Sequence, residues 1–127
     1  MAKRPPRPTD AELNLLRVLW DDGPATVRQV REGLSPKLRT GYTTVLKTLQ
    51  IMTEKGLVRR DESRHAHIYR AALAEEQTQR QLVSELLDRA FSGSASRLVV
   101  QALTEKPASP EELADIRRLL DELEEDA

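Results

Sequence analysis

A mostly helical chain with one small β-hairpin, three helices before it and three after, is the fold class this sequence predicts. Three observations predict it. Apolar residues recur at spacings of three and four along most of the chain. Helix start and stop signals bracket each periodic run. The period shortens to that of a strand just after Gly56. Helix, helix, turn, helix and hairpin in that order form a winged helix-turn-helix, and a further helical region follows it.

The first helix is predicted over about Asp10–Asp21. Thr9-Asp10-Ala11-Glu12 has the capping-box form, in which a threonine oxygen takes one free N–H and a glutamate returns to the cap. Leu13, Leu16 and Trp20 follow on one face, with Trp20 as a core anchor, and Asp22-Gly23-Pro24 breaks the helix. Thr26-Val27-Arg28-Gln29 repeats the cap and opens a second helix to about Leu34, burying Val27, Val30 and Leu34. Ser35-Pro36 ends it. The third helix lies within Thr40–Gly56. Val45, Leu46, Leu49 and Met52 make its buried face, and Gly56 sits where a left-handed residue most often stops a helix.

Leu57-Val58-Arg59-Arg60 and Ala66-His67-Ile68-Tyr69 then read as strands around the polar turn Asp61-Glu62-Ser63-Arg64. From Ala72 onward the pattern is helical. Residues 74–91 carry Leu82, Leu86, Leu87 and Phe91 on adjoining stripes, and Ser92-Gly93-Ser94 interrupts them. A short helix with Leu98, Val99 and Leu103 follows, capped by Ser94 or Ser96 and ended by Pro107. Ser109-Pro110-Glu111-Glu112 is a strong start signal for the last helix, which shows Leu113, Ile116, Leu120 and Leu123. Three such helices with few aromatics cannot bury much surface alone, so they are expected to pack on a second copy or on the winged domain. A two-fold homodimer is the commonest solution. The expected organisation is a flexible basic arm over 1–8, a winged-helix DNA-binding domain over 9–72 and a helical dimerisation domain over 73–127.

Composition narrows the function. The chain has 127 residues and no cysteine, so it has no disulfide framework and no thiolate site. No apolar run approaches the roughly 20 residues that span a bilayer, and the basic start leads into no apolar segment, which predicts a cytoplasmic protein without membrane insertion. The net charge of −1 conceals an asymmetry. Residues 1–70 hold 14 Lys and Arg against 8 Asp and Glu, or +6, while residues 71–127 hold 6 against 13, or −7. A basic half joined to an acidic half suggests that the first binds a polyanion. At 3% aromatic residues, a base-stacking platform for single strands is disfavoured, and double-stranded DNA is the expected partner.

The outward face of the third helix carries Thr43, Thr44, Lys47, Thr48 and Gln50, with no acid until Glu54. These groups can donate to phosphates and base edges without repelling a polyanion, although a solvated helix face would look similar. The wing region adds Arg59, Arg60, Arg64, His65, His67 and Arg70, too many cations in twelve residues to serve solubility alone. His65 and His67 are two apart on the expected strand and would share a face. With no third ligand nearby, phosphate contact is the plainer account than a metal, and no cofactor is expected. There is no paired-carboxylate site, no nucleophile with a base and no phosphate-cradling glycine loop, which argues against an enzyme.

Taken together, Ala11-Glu12, Leu19-Trp20, Thr26-Val27, Tyr42-Thr43-Thr44-Val45, Leu49, Lys55-Gly56-Leu57-Val58 and His67-Ile68-Tyr69-Arg70 resemble the penicillinase and methicillin-resistance repressor family (BlaI/MecI) nearly end to end. The resemblance implies a homodimeric transcriptional repressor on a palindromic operator. The third helix would lie in the major groove, with the last three helices interleaved between subunits. By that analogy Thr43 and Thr44 read bases, with Lys47 beside them. Arg39, Thr40, Tyr42 and the wing hold the backbone, and Arg28, Thr48 and Gln50 complete the candidate backbone contacts. Family members that answer to β-lactams are cut at an Asn-Phe bond by a membrane sensor-protease. The corresponding place here is Gln101-Ala102, a departure from that pattern. The wing turn also lacks the family's glycine, and the absence of cysteine excludes the cysteine cluster of the related copper-responsive repressors. The alternative functions are a winged-helix protein-interaction module and a nonspecific architectural DNA-binding protein.

Overall fold

The computed structural model describes residues 6–127, which form six helices and one two-stranded antiparallel sheet. In chain order these are α1 (Asp10–Asp22), α2 (Val27–Gly33), α3 (Tyr42–Lys55), β1 (Val58–Asp61), β2 (Ile68–Ala71), α4 (Glu75–Ala90), α5 (Ala95–Glu105) and α6 (Pro110–Asp126). The chain divides into two compact units between Val83 and Ser84, inside α4. Of the arm expected over 1–8, residues 1–5 lie outside the described residues, while Pro8 is buried.

The local signals act as the sequence predicts. Thr9 and Thr26 each accept from the backbone N–H three residues on, and Glu12 and Gln29 each return to the cap N–H, so two complete capping boxes start α1 and α2. Ser109 and Glu112 do the same for α6, with Pro110 at its first position, and Ser94 caps α5. Gly56 ends α3 at φ 83°, ψ 14°, the left-handed conformation in which a glycine carries little cost.

The core of the first unit is built from all three leading helices and the hairpin. Leu16, Val30, Val45, Leu49, Met52, Val58 and Tyr69 are almost completely buried, and each such apolar side chain contributes about 1.5–3 kcal/mol relative to an exposed one. Leu46 departs from the expectation: it is only partly buried, because the buried stripe of α3 is centred on Val45, Leu49 and Met52 and leaves Leu46 at its edge. Trp20 also packs from the edge of the core, and its indole N–H donates to the Leu73 carbonyl at 3.0 Å. This bond ties the end of α1 to the segment that leads into α4.

α1 and α2 meet closely at Gly33. A Cβ there would come within 2.5 Å of Val18 Cγ1 and 3.0 Å of Asp22 Oδ2, so glycine is required by close approach. Gly33→Ala is expected to lose about 1–2 kcal/mol, the overpacking cost outweighing alanine's better helix propensity. Urea denaturation measures this, and a variant as stable as the wild type would mean that Val18 rotates clear.

The strand limits differ from the sequence expectation. β1 runs one residue later than expected and β2 two residues later, pairing Val58 with Ala71, Arg59 with Arg70, Arg60 with Tyr69 and Asp61 with Ile68. The cause lies outside the hairpin. Tyr69 is fully buried and exchanges both backbone hydrogen bonds with Ala25, at 2.9 and 2.8 Å, which adds a one-residue third strand from the α1–α2 connection. That bridge fixes which part of the second run is strand. His65 and His67 consequently lie in the wing loop and not on a strand face. The loop has no glycine, but it starts in an Asx-turn in which the Ser63 N–H donates to Asp61 Oδ1 at 2.9 Å. Hydrogen bonds from the Ser63 side chain and N–H hold the Asp61 carboxyl below its ordinary range.

The second unit comprises the end of α4, then α5 and α6. From Ser84 onward no residue is buried, and no pair among these helices packs extensively. Leu86, Val99, Leu120 and Leu123 are each about half exposed, as are Val100 and Leu119. Leu87, Phe91, Leu98, Leu103, Leu113 and Ile116 are partly buried, as is Leu82 on the other side of the division within α4.

Candidate nucleic-acid interface

The interface is assembled on α3, which is held at both ends by contacts no local pattern reveals. At its start, the Arg31 guanidinium donates from Nε to the Thr40 carbonyl at 2.7 Å, fixing the approach of the chain. Gly41 supplies no side-chain cap, so the first-turn N–H groups of α3 keep no side-chain partner from that position. At its end, Lys55 donates to both carboxylate oxygens of Glu12, at 3.0 and 2.8 Å. Glu12 is buried and also completes the capping box of α1, so one carboxylate ties the start of α1 to the last turn of α3.

With its apolar stripe inward, α3 presents Thr43, Thr44, Lys47 and Gln50 as exposed residues. Thr43, Lys47 and Gln50 follow one another at spacings of four and three, along the line opposite Val45, Leu49 and Met52. Thr44 flanks that line, while Tyr42, exposed at the first position of the helix, lies seven residues before Leu49 on the side of the buried stripe. Thr48 is partly buried, and its hydroxyl donates to the Thr44 carbonyl at 2.8 Å. Two exposed apolar groups accompany these polar ones: Ile51 on α3 and Leu38 in the turn before it. Neither was flagged by periodicity, because an apolar residue on an outward face reads as noise until the inward face is known. Next to thymine methyls such groups can be read directly.

Among the expected backbone contacts, Thr40 and Arg28 are exposed. Arg39 is exposed too, but its Nη2 donates to the carbonyls of Glu32 and Leu34 at 3.1 and 2.9 Å, closing the end of α2. On the hairpin, Arg59 and Arg70 stand directly opposite one another, both exposed. Like charges in that relation oppose folding, which points to a polyanion as their counterpart. Arg60 pairs with Glu62, and Arg64, His65 and His67 are exposed in the wing loop. Between α2, α3 and this loop lies a cleft of about 610 Å³, lined by Thr26, Val27, Arg28, Tyr42, Leu46, His65, Ala66, His67 and Tyr69. The structure thus brings Arg28, Tyr42 and the two histidines together. It does not bring them to Thr48, Lys47 or Gln50, which do not line this cleft.

Among the described residues no three His, Asp or Glu side chains gather as a metal site, and no helix is long and apolar enough to cross a membrane.

A helix with a polar, cationic outward face, a positioned turn before it and a basic hairpin behind it is the geometry of a DNA-reading module. Comparison with known sequences agrees. The family model of the penicillinase repressors matches residues 8–122, nearly the whole chain. The chain belongs to the penicillinase repressor family. This is a family of transcriptional repressors and not of enzymes. The chain is similar to the transcriptional regulator BlaI of Mycobacterium tuberculosis (strain H37Rv), with 32% identity over 116 residues that cover 91% of this chain and 83% of that protein. It is also similar to the penicillinase repressor of Bacillus licheniformis, with 22% identity over 120 residues that cover 94% of each. The match includes both the winged unit and the helices after it, so membership in the family rests on more than the common DNA-binding fold.

Proposed function

We propose that this member of the penicillinase repressor family acts as a cytoplasmic homodimer that occupies a palindromic operator in double-stranded DNA and so blocks transcription. The observation that carries the reading is the outward face of α3, where Thr43, Thr44, Lys47 and Gln50 are exposed and free of acidic neighbours until Glu54. Thr43 and Thr44 read base edges in the major groove, with Lys47 reaching a base or phosphate. Arg28, Thr40, Tyr42 and the wing cations hold the backbone. Arg39 serves the fold first, through its two carbonyl bonds, and contributes charge second.

The homodimer is supported by the second unit. Its helices are well capped yet have no buried residue of their own, and a surface with so many half-exposed Leu and Val residues needs a covering partner. A second copy of the same surface supplies one. Two copies of α3 would then meet half-sites about one helical turn apart. A proteolytic route of release would cut α5 at Gln101-Ala102, both exposed. Co-expression with a membrane sensor-protease that leaves the chain intact on induction would exclude that route.

Two substitutions test the placement of α3. Lys47→Ala is expected to weaken binding to all duplexes and to reduce the salt slope of log affinity by about one phosphate's worth, close to 0.9. Thr44→Ala is expected instead to relax preference at one base pair, by about 1–3 kcal/mol. Salt titrations of both variants against matched and mismatched duplexes separate the two effects. An unchanged salt slope in the first together with unchanged preference in the second would place α3 elsewhere.

A further inference from the structure

The chain contains two histidines and no cysteine. Histidine is therefore the only side-chain type here whose ordinary chemistry changes charge between about pH 6 and pH 8. Both histidines line the same cleft, and Arg28 lines it with them. The other titratable groups on its walls are Tyr42 of α3 and Tyr69 of β2, and no carboxylate lines it. The ion-paired Arg60 and Glu62 stand on and beside β1, and Asp61 is held in its own turn by Ser63. Tyr69 is fully buried, and its side chain adjoins the Arg60 guanidinium, its direct partner across the hairpin.

We infer that this cleft is a phosphate subsite that seats one backbone phosphate of the bound duplex between Arg28 and the protonated imidazoles of His65 and His67, so that DNA binding takes up protons. The inference rests on the DNA-binding reading above and adds to it a specific ligand group and a linkage. Arg28 supplies a permanent charge on α2, whereas the histidines supply theirs only when protonated. A neutral imidazole brings one N–H donor and no charge; the imidazolium brings two donors and a full charge. Phosphate contact therefore favours the protonated form, and by linkage lower pH favours binding. The DNA backbone carries its charge throughout this range, so the pH dependence belongs to the protein.

The test measures affinity for a duplex selected by this protein from a random library, at fixed ionic strength with a chelator present to exclude metal bridging of the imidazoles. From about pH 8 to about pH 6 the wild type is expected to gain about tenfold in affinity, and its salt slope to steepen by about one. The exposed pair His65→Gln/His67→Gln should lose that gain. Arg28→Gln should weaken binding at both pH values. A double histidine variant with the same pH dependence as the wild type overturns the subsite while leaving DNA binding intact. Failure of the wild type to prefer any duplex at either pH overturns both.

Discussion

Glu12→Ala is expected to lose about 3 kcal/mol of stability, the largest single-residue effect in the first unit outside its apolar core. The substitution removes half of the α1 capping box and leaves the Lys55 ammonium without its carboxylate, though Lys55 is about one-third exposed and recovers some solvation. Glu12→Gln keeps an oxygen for the Thr9 N–H and should cost about half as much. The same residue makes the fold acid-sensitive. Burial works to raise the Glu12 carboxyl, but hydrogen bonds from Lys55 and the Thr9 N–H, together with the Lys55 charge, outweigh it and hold the group below the ordinary glutamate range. A depressed folded value means that the stabilisation is fully present above the unfolded value of about 4.3 and is lost as the pH falls through the lower folded one. Denaturant titrations at neutral and acidic pH check both points: the gap between wild type and Glu12→Gln should narrow on acidification, and a constant gap would contradict the assignment.

Leu120→Glu/Leu123→Glu is expected to convert the protein to a monomer and to reduce operator affinity by about 100-fold or more, because one half-site then loses the effective concentration supplied by the other. Both side chains are about half exposed in the single chain, so the substitution need not disturb the fold of either unit. The sole tryptophan, Trp20, lies in the first unit and reports whether that unit stays folded. Sedimentation equilibrium reads the mass directly. A variant that remains dimeric would move the interface off α6, and a wild type that is monomeric at micromolar concentration would remove the dimer altogether.

Much of the first unit was legible because its signals are local. Thr9 with Glu12, Thr26 with Gln29 and Gly56 each act within one turn of helix, and the structure uses each of them as the sequence suggests. What the sequence hid depends on residues far apart in the chain. The ion pair that fixes the end of α3 joins residues 43 apart, and the carboxylate involved already had a sufficient local explanation in the capping box. The part of the second run that becomes strand includes the bridge to Ala25, which no strand pattern marks, and β2 starts only at Ile68, so both histidines fall in the loop. Their convergence with Arg28 is legible only once that loop is placed against α2 and α3. Leu46 illustrates the reverse error: its spacing fits the buried stripe, yet it lies at the stripe's edge, where it lines the cleft.

Selection of bound sites from a random duplex library at near-physiological salt tests whether a dimer of this chain reads DNA sequence. The expected result is an enriched palindrome whose half-sites lie about one helical turn apart, lost in Leu120→Glu/Leu123→Glu and altered at one position in Thr44→Ala. Enrichment of no sequence, with only weak and salt-sensitive binding to any polyanion, would contradict it and leave the winged unit as a protein-interaction or nonspecific architectural module.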